Sequence, residues 1–496
     1  MAGQDSATPN DPAQGATPFV ADLAERSGRQ FRSFHMPGHK HTAFGGGLLA
    51  ELWGEGVVRS DLSEMGGLDY LHSPESSLKE AQSLAARAFG AGATYFLING
   101  TTAGNQAAIL ASVPPGKKLL LPRASHRSVY ASLLLADAEP VYVPPIVQRG
   151  SALPLETDLA AVERLLTTVP DIAAIHITSP SYYGFCSDLT GIANLAKRHG
   201  VVLIVDEAHG SHFAFHPAFP LSAMQAGADI AVQSTHKTIG SLTQSSMLHA
   251  REDFPYLRQL QQALAMLQSS SPSALLLASL DDARALMAMH GREMLGRTLD
   301  LTTRTRSEID AIPGLQCIRA EIDPATGRYR SDPTKMLIRV RDLGMTGFDA
   351  AAWLIAERGI EVELKDLDHI LCTITIADTD AGVAELIAAL RDLSEQAAPG
   401  ARGENERGAQ PVWPATPIAA MSLRDAFHAE SEMVPFAEAV GRISAEFVIP
   451  YPPGIPVLLP GERITPEAAD YALNLLKRGG RIVGPEDPRL QSLRVM

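Results

Sequence analysis

Three cysteines in 496 residues, Cys186, Cys317 and Cys372, are too few and too scattered for a disulfide framework or a four-ligand zinc site. That scarcity fits a reducing cytoplasm. No apolar run approaches the roughly 20 residues of a membrane span, so no membrane partner is expected. A basic excess is missing too: 42 Lys and Arg against 56 Asp and Glu leave a net charge of −14. Such a balance argues against nucleic acid or an anionic surface and would suit a cationic small molecule. Residues 1–17 are polar, with Pro9 and Pro12, and carry no basic-then-apolar pattern, so no secretory signal is expected. These first 17 residues, within an N-terminal arm bounded at 1–30, are expected to be disordered or used at a subunit contact. What is present is ordinary for a soluble globular protein, 45% hydrophobic and 20% charged, with length for two or three domains.

Short β-like runs alternate with helical stretches across 31–300, the pattern of a largely parallel sheet covered on both faces. Four of those runs end in polar clusters. Tyr95-Phe96-Leu97-Ile98 leads into Asn99-Gly100-Thr101-Thr102, and the run from Ile172 to Ile177 leads into Thr178-Ser179-Pro180. Val201 to Val205 leads into Asp206, and Asp229 to Val232 leads towards Ser234. Ligands in open α/β sheets lie beyond the carboxyl ends of the strands, so these clusters are expected to converge. A smaller α+β unit is expected over 301–395, with strands at Met336–Val340 and His369–Ile374. A Gly-rich flexible linker follows at 396–415, then a C-terminal α+β domain at 416–496.

Two patches carry the strongest chemistry. Asp206-Glu207-Ala208-His209-Gly210 places an acid at the carboxyl end of a buried strand, and Ser234-Thr235-His236-Lys237 ends the next such stretch on a lysine. An acid and a lysine at neighbouring strand ends are what pyridoxal phosphate (PLP) requires. The amine forms a Schiff base with the aldehyde, and the carboxylate keeps the pyridine nitrogen protonated. Desolvation at Lys237 would lower its pKa and free the amine. Gly100-Thr101-Thr102-Ala103-Gly104-Asn105 offers backbone N–H groups and two hydroxyls at a helix start, a phosphate cradle. An ordinary threonine cap fits the same residues. Ser234 and His236 could donate to the phosphate or simply form the turn. His209 lies near the acid, touching the cofactor or packed against it. His126, after Leu119-Leu120-Leu121-Pro122, could stack on the pyridine face, although a lone histidine more often has a structural role. His35, His39 and His41 invite a metal, but no carboxylate or cysteine spacing completes a site and none is expected. Loops of that kind more often shape a substrate mouth or a dimer contact.

These residues together resemble the Orn/Lys/Arg decarboxylase family of fold type I PLP enzymes. The resemblance runs from Phe34-His35-Met36-Pro37-Gly38-His39 to Pro460-Gly461-Glu462. Its most specific parts are Ser234-Thr235-His236-Lys237 and Gly441-Arg442-Ile443-Ser444-Ala445-Glu446 with the proline-rich run from Pro450 to Pro456. It implies an aspartate aminotransferase-like large domain with a mostly parallel seven-stranded sheet. It also implies Lys237 as the Schiff-base lysine, Asp206 on the pyridine nitrogen, His126 stacked on the ring, and Thr101, Thr102, Ser234 and His236 around the phosphate. Long forms of the family begin with a flavodoxin-like wing domain; here the His-Met-Pro-Gly-His block starts by residue 35, which implies the short form and puts ring-shaped decamers in doubt. Where long forms carry an aromatic, this chain has His209, so their substrate pocket is not carried over there.

The implied reaction is decarboxylation of a basic amino acid to its amine, in polyamine metabolism, with arginine preferred over lysine or ornithine because short forms are often biosynthetic arginine decarboxylases. The distal cation needs a carboxylate, for which Glu64, Asp69 and Glu363 are candidates, with Glu432 behind them. A homodimer or larger homo-oligomer is expected. Two rivals stay open: another PLP reaction such as transamination, with Arg339 or Arg341 gripping the α-carboxylate, and a catalytically silent regulatory homologue.

Overall fold

The structure, a computed structural model, describes residues 11–29, 32–42, 47–147, 154–318, 321–397, 414–451 and 454–496. The expected linker at 396–415 falls, apart from its ends, outside the described residues. Seven strands form the main sheet: β1 (Ala93–Leu97), β2 (Lys118–Pro122), β3 (Glu139–Val143), β4 (Ile172–Thr178), β5 (Val202–Asp206), β6 (Ile230–Gln233) and β7 (Ser246–Ala250). Their order is β1-β7-β6-β5-β4-β2-β3. Parallel pairing joins β5 to β6 and β2 to both β3 and β4, whereas β7 runs antiparallel to β1 and β6. The expected α/β class with a mostly parallel seven-stranded sheet is what forms.

The chain divides into two compact units, Met1–Ser112 with Leu189–Leu295, and Val113–Asp188 with Gly296–Met496. In the first unit, Val202-Leu203-Ile204-Val205 is buried throughout, as an uninterrupted β-branched and leucine run must be when a strand is covered on both faces. Register pairs Asp206 with Val232, so the acid ends β5 level with the last turns of β6. Helix α1 (Gly100–Ser112) starts on Gly100 at φ +71 and packs on β5, β6 and β7. Its approach is close: a Cβ on Gly104 would lie 2.4 Å from Val232 Cγ1 and 2.8 Å from Leu97 Cδ1.

The N-terminal arm differs from expectation. From Pro12 it is folded, with a 3-10 turn at Pro12–Gly15 and a helix at Pro18–Ser27. Fully buried Arg284 donates to the carbonyls of Gln14 and Ala16, and Asp281 accepts from the N–H groups of Phe19 and Val20. Pro12 and Pro18 stand at helix starts, where their missing N–H costs nothing; the residues that hold the arm lie some 270 positions away.

The second unit holds β2 to β4 and, after β2, helix α2 (Arg127–Ala136). It also contains a four-stranded sheet of Gln316–Cys317, Lys335–Arg339, Leu364–Lys365 and His369–Thr373, covered by helices Gly347–Arg358 and Asp380–Gln396 over a core that includes Ile338, Leu354, Ile370 and Leu390. The segment from 414 onwards pairs Glu432–Pro435 with Ser492–Val495 and Ile449–Tyr451 with Arg481–Val483. These pairs and the helix Pro466–Lys477 enclose Val448, Leu458, Ala472 and Leu493. Among the described residues no helix is long and apolar enough to cross a membrane.

Candidate active site

In the first unit, β5 delivers Asp206 almost fully buried, with Oδ1 accepting from the Ala208 N–H at 3.1 Å and Oδ2 from Asn105 Nδ2 at 2.8 Å. Asn105 comes from α1 and is itself buried. Three residues past Asp206, buried His209 places Nε2 3.1 Å from Lys237 Nζ. Lys237 sits on the four-residue helix α3 (Thr235–Thr238) that caps β6. One histidine thus bridges the acid's turn and the lysine's helix. Lys237 itself is exposed, not desolvated as expected, because α3 begins two residues beyond the strand and carries it out of the sheet.

The hydroxyl groups gather beside this pair. Thr101 Oγ1, in the first turn of α1, lies 2.5 Å from Ser234 Oγ and 3.1 Å from Ser246 Oγ at the start of β7. Thr102 stands next to it, exposed. His236 donates from Nδ1 to the Ser245 carbonyl at 2.8 Å. Burial lowers its pKa, opposed by that carbonyl and assisted by the Lys237 charge. A neutral ring anchored through Nδ1–H has no second N–H, so His236 fits the phosphate neighbourhood as a support better than as a donor.

Behind the acid runs a buried polar chain. Glu207 accepts from Ala223 N at 2.8 Å and Gln233 Nε2 at 2.7 Å, Gln233 Oε1 accepts from His249 Nε2 at 3.1 Å, and Thr94 Oγ1 lies 2.8 Å from His249 Nδ1. Burial pushes the Glu207 carboxyl up to about 8 and the His249 imidazole down to about 3. Neutral His249 then donates to Gln233 and receives the Thr94 proton. Asn105, Ser246 and Gln233 were not singled out from sequence. Asn105 closes the quoted Gly-Thr-Thr motif, so its helical position was the available signal; Ser246 and Gln233 gave none.

In the second unit, His126 is the N-cap of α2, its Nδ1 meeting Ser128 N at 3.2 Å and Ser128 Oγ at 2.9 Å. Of the candidate acids, Asp69 proves to be a helix cap: its carboxylate accepts from the backbone N–H groups of Tyr70, Glu75, Ser76, Leu78 and Lys79. Burial opposes ionisation, but these N–H groups prevail and hold its pKa low. A carboxylate so occupied is a poor partner for a substrate cation. Glu64 sits half-buried in the turn Glu64–Gly66 of the first unit. Glu363, in the second, accepts from Tyr182 OH at 2.8 Å and lines a cavity of about 280 Å³ with Glu361, Asp378 and Glu385. Glu432 pairs with Arg442 at 2.8 Å. Arg339 pairs with Asp342 at 2.7 Å and Arg341 lies 4.0 Å from Asp368, so both candidate carboxylate grips face acids of their own unit. His39 Nε2 lies 3.0 Å from Asp61 in the first unit, a pairing its spacing did not announce.

Comparison with known proteins places these residues in a family. The major-domain profile of the Orn/Lys/Arg decarboxylases matches residues 17–382, and the C-terminal-domain profile matches 409–481. An arginine decarboxylase of Halalkalibacterium halodurans is 41% identical over 484 residues, 97% of this chain and 98% of that one. An arginine decarboxylase of Bacillus subtilis is 40% identical over 484 residues, 98% of each chain. Among solved structures, a lysine decarboxylase of Francisella novicida superposes with a TM-score of 0.81 at 23% identity, covering 97% of this chain and 81% of that one; the shared feature is the fold.

Proposed function

The chain belongs to the Orn/Lys/Arg decarboxylase family of PLP-dependent amino acid decarboxylases, and we propose that its reaction is the decarboxylation of arginine to agmatine and CO2. One observation carries the catalytic part: Asp206 ends β5, and Lys237, on the short helix after the adjacent parallel strand β6, lies 3.1 Å from His209, three residues past Asp206. The near-full-length likeness to two arginine decarboxylases supports the substrate. Lysine and ornithine are the alternatives, differing in reach and in offering a point charge where arginine offers a planar fork.

The residues fit PLP. A buried carboxylate held by Asn105 suits a protonated ring nitrogen, and the Thr101, Ser234 and Ser246 hydroxyls at the start of α1 suit a phosphate. When bound, PLP supplies the electron sink for the bond pair released as CO2 leaves. Lys237 would hold the cofactor through its side-chain amine. Asp206 keeps the ring nitrogen protonated, and Asn105 fixes the carboxylate that does so. Thr102 and His236 would complete the phosphate surroundings. Lys237, with His209 at 3.1 Å, handles the proton returned to Cα. Glu64 and Glu363 remain the candidates for the distal guanidinium, Asp69 being occupied by its helix. The working enzyme is a cytoplasmic homodimer or larger assembly serving polyamine synthesis.

The test is to incubate the protein and PLP with arginine, lysine and ornithine and separate the amines while trapping CO2. Agmatine and CO2 in equal amounts are expected. A keto acid without CO2 would install the transaminase reading, and no visible cofactor band would install the silent homologue.

A further inference from the structure

Glu207 directly follows the acid assigned to the ring nitrogen, yet it has no part in the chemistry above. It is the inner end of a hydrogen-bonded chain that lies wholly in the first unit. In sheet order the chain passes β1, β7 and β6 and ends just beyond β5. Thr94 on β1 is paired with His249 on β7, its Oγ1 2.8 Å from the imidazole Nδ1. His249 Nε2 donates to Gln233 Oε1 at 3.1 Å. Gln233, the last residue of β6, donates from Nε2 to Glu207 Oε2 at 2.7 Å. Glu207 Oε1 accepts from Ala223 N at 2.8 Å. All four side chains are buried, and the Phe89 ring stacks on His249 with centroids 4.5 Å apart.

Polar side chains in an apolar interior cost stability unless each is bonded, and once bonded they favour a single arrangement. Here that arrangement fixes backbone on both sides of the site. Glu207 also donates its own N–H to the Val232 carbonyl at 2.9 Å, so its side chain and its backbone are both tied to β6. The peptide between residues 206 and 207 is thereby held, and that peptide orients the Asp206 side chain. Gln233 stands directly before Ser234, whose hydroxyl meets Thr101, and four residues before Lys237. The bond from Gln233 to Glu207 thus spaces the end of β5 against the turn that leads to the lysine. Further ties act on the same turns: His209 Nε2 meets Lys237 Nζ, and Asn105 holds the Asp206 carboxylate from α1. Burial keeps Glu207 protonated at neutral pH, so it adds no second negative charge beside Asp206.

We propose that Glu207 is a positioning residue for Asp206, acting through its bond to Gln233, which sets the acid against the lysine-bearing turn. The proposal rests on the reading above that Asp206 meets the ring nitrogen.

The experiment uses the full-length protein with PLP as probe, reading its dissociation constant, the visible circular dichroism of the bound cofactor and thermal unfolding. Glu207→Gln keeps the shape but puts an N–H where one of two acceptors stood. It is expected to weaken PLP binding by about tenfold, the low end of what groups orienting a ligand's direct partners contribute, and to lower the dichroism. Gln233→Glu alone sets two carboxyl groups against each other and is expected to do the same. Combining the two reverses the bond: the amide at 207 donates to the carboxyl at 233, which still accepts from His249. The combined variant is therefore expected to regain most of the affinity and dichroism, a coupling that independent sites do not show. Thr94→Val breaks the far end of the chain and controls for lost stability; a lower melting temperature with wild-type affinity and dichroism is expected. If Glu207→Gln does not fold, Gln233→Met, which removes the donor to Glu207, is measured in its place and the same weakening is expected. Unchanged affinity and dichroism in the folded variant, additive losses in the combined one, or an equal loss of affinity in Thr94→Val would overturn the proposal while leaving the decarboxylase reading intact. Wild-type protein that takes up no PLP would overturn both.

Discussion

Lys237 Nζ and His209 Nε2 lie 3.1 Å apart, joining two turns that belong to neighbouring parallel strands. An amine held against an imidazole can pass a proton either way, depending on which group is protonated. Lys237→Ala is accordingly expected to remove nearly all turnover together with the visible band of bound PLP. His209→Ala should retain the band but lower kcat by about a hundredfold, the lower range of acid–base contributions, and alter the pH profile of kcat. Wild-type rates in either variant would detach these residues from the reaction.

Asn105→Ala removes the Nδ2 donor from buried Asp206. Leaving a buried acceptor with one partner fewer costs about 1–3 kcal/mol, so a lower denaturation midpoint is expected. Loosened cofactor binding should accompany it, because the carboxylate loses one of its two described anchors. Denaturant titration and PLP titration on the same sample separate the two effects.

Gly104→Ala would drive a methyl group into Val232 and Leu97. Overpacking of that kind costs about 1–3 kcal/mol. Because α1 also carries Thr101 and Asn105, PLP affinity should fall with stability. A variant with wild-type melting and affinity would show that the helix has room to shift.

Glu207 and His249 give stability opposite slopes with pH. Burial raises Glu207 from 4.5 to about 8, so the folded state holds the extra proton; its contribution is complete below pH 4.5 and is lost as pH rises through 8. Burial lowers His249 from 6.5 to about 3; its contribution is present above pH 6.5 and is lost as pH falls through 3. Glu207→Gln should therefore flatten the decline between pH 4.5 and 8, and His249→Gln the decline between pH 6.5 and 3. Unfolding free energies at a series of pH values check both; an unaltered slope would mean the group titrates normally.

Glu363→Gln and Asp69→Asn should diverge. The first is expected to raise KM for arginine with little change in melting temperature. The second removes a helix cap, costing about 0.5–2 kcal/mol, with no selective change in KM. A KM change confined to Asp69→Asn would reverse the assignment.

Much of the sheet was legible because a strand buried on both faces needs an unbroken run of β-branched and aliphatic residues, as in Val202–Val205 and Ile230–Val232. The positions of Asp206 and Lys237 beyond buried strands were legible for the same reason: they interrupt the hydrophobic pattern there. Asp69 misled because a cap ordinarily precedes its helix immediately, whereas this carboxylate reaches N–H groups up to ten residues on. The arm misled because its polar composition says nothing of Arg284 and Asp281 waiting on a distant helix.

Local chemistry written along the chain was enough to determine the fold class, the strand ends that precede Asp206 and Lys237, and the family, since apolar periodicity and short motifs are properties of contiguous residues. Tertiary structure alone decided which side chains meet there: Asn105 on Asp206, His209 on Lys237 and Ser246 on Thr101. Each pair is drawn from separate segments, and a hydrogen bond acts only within about 3 Å, a separation that exists after the backbone has packed and not before.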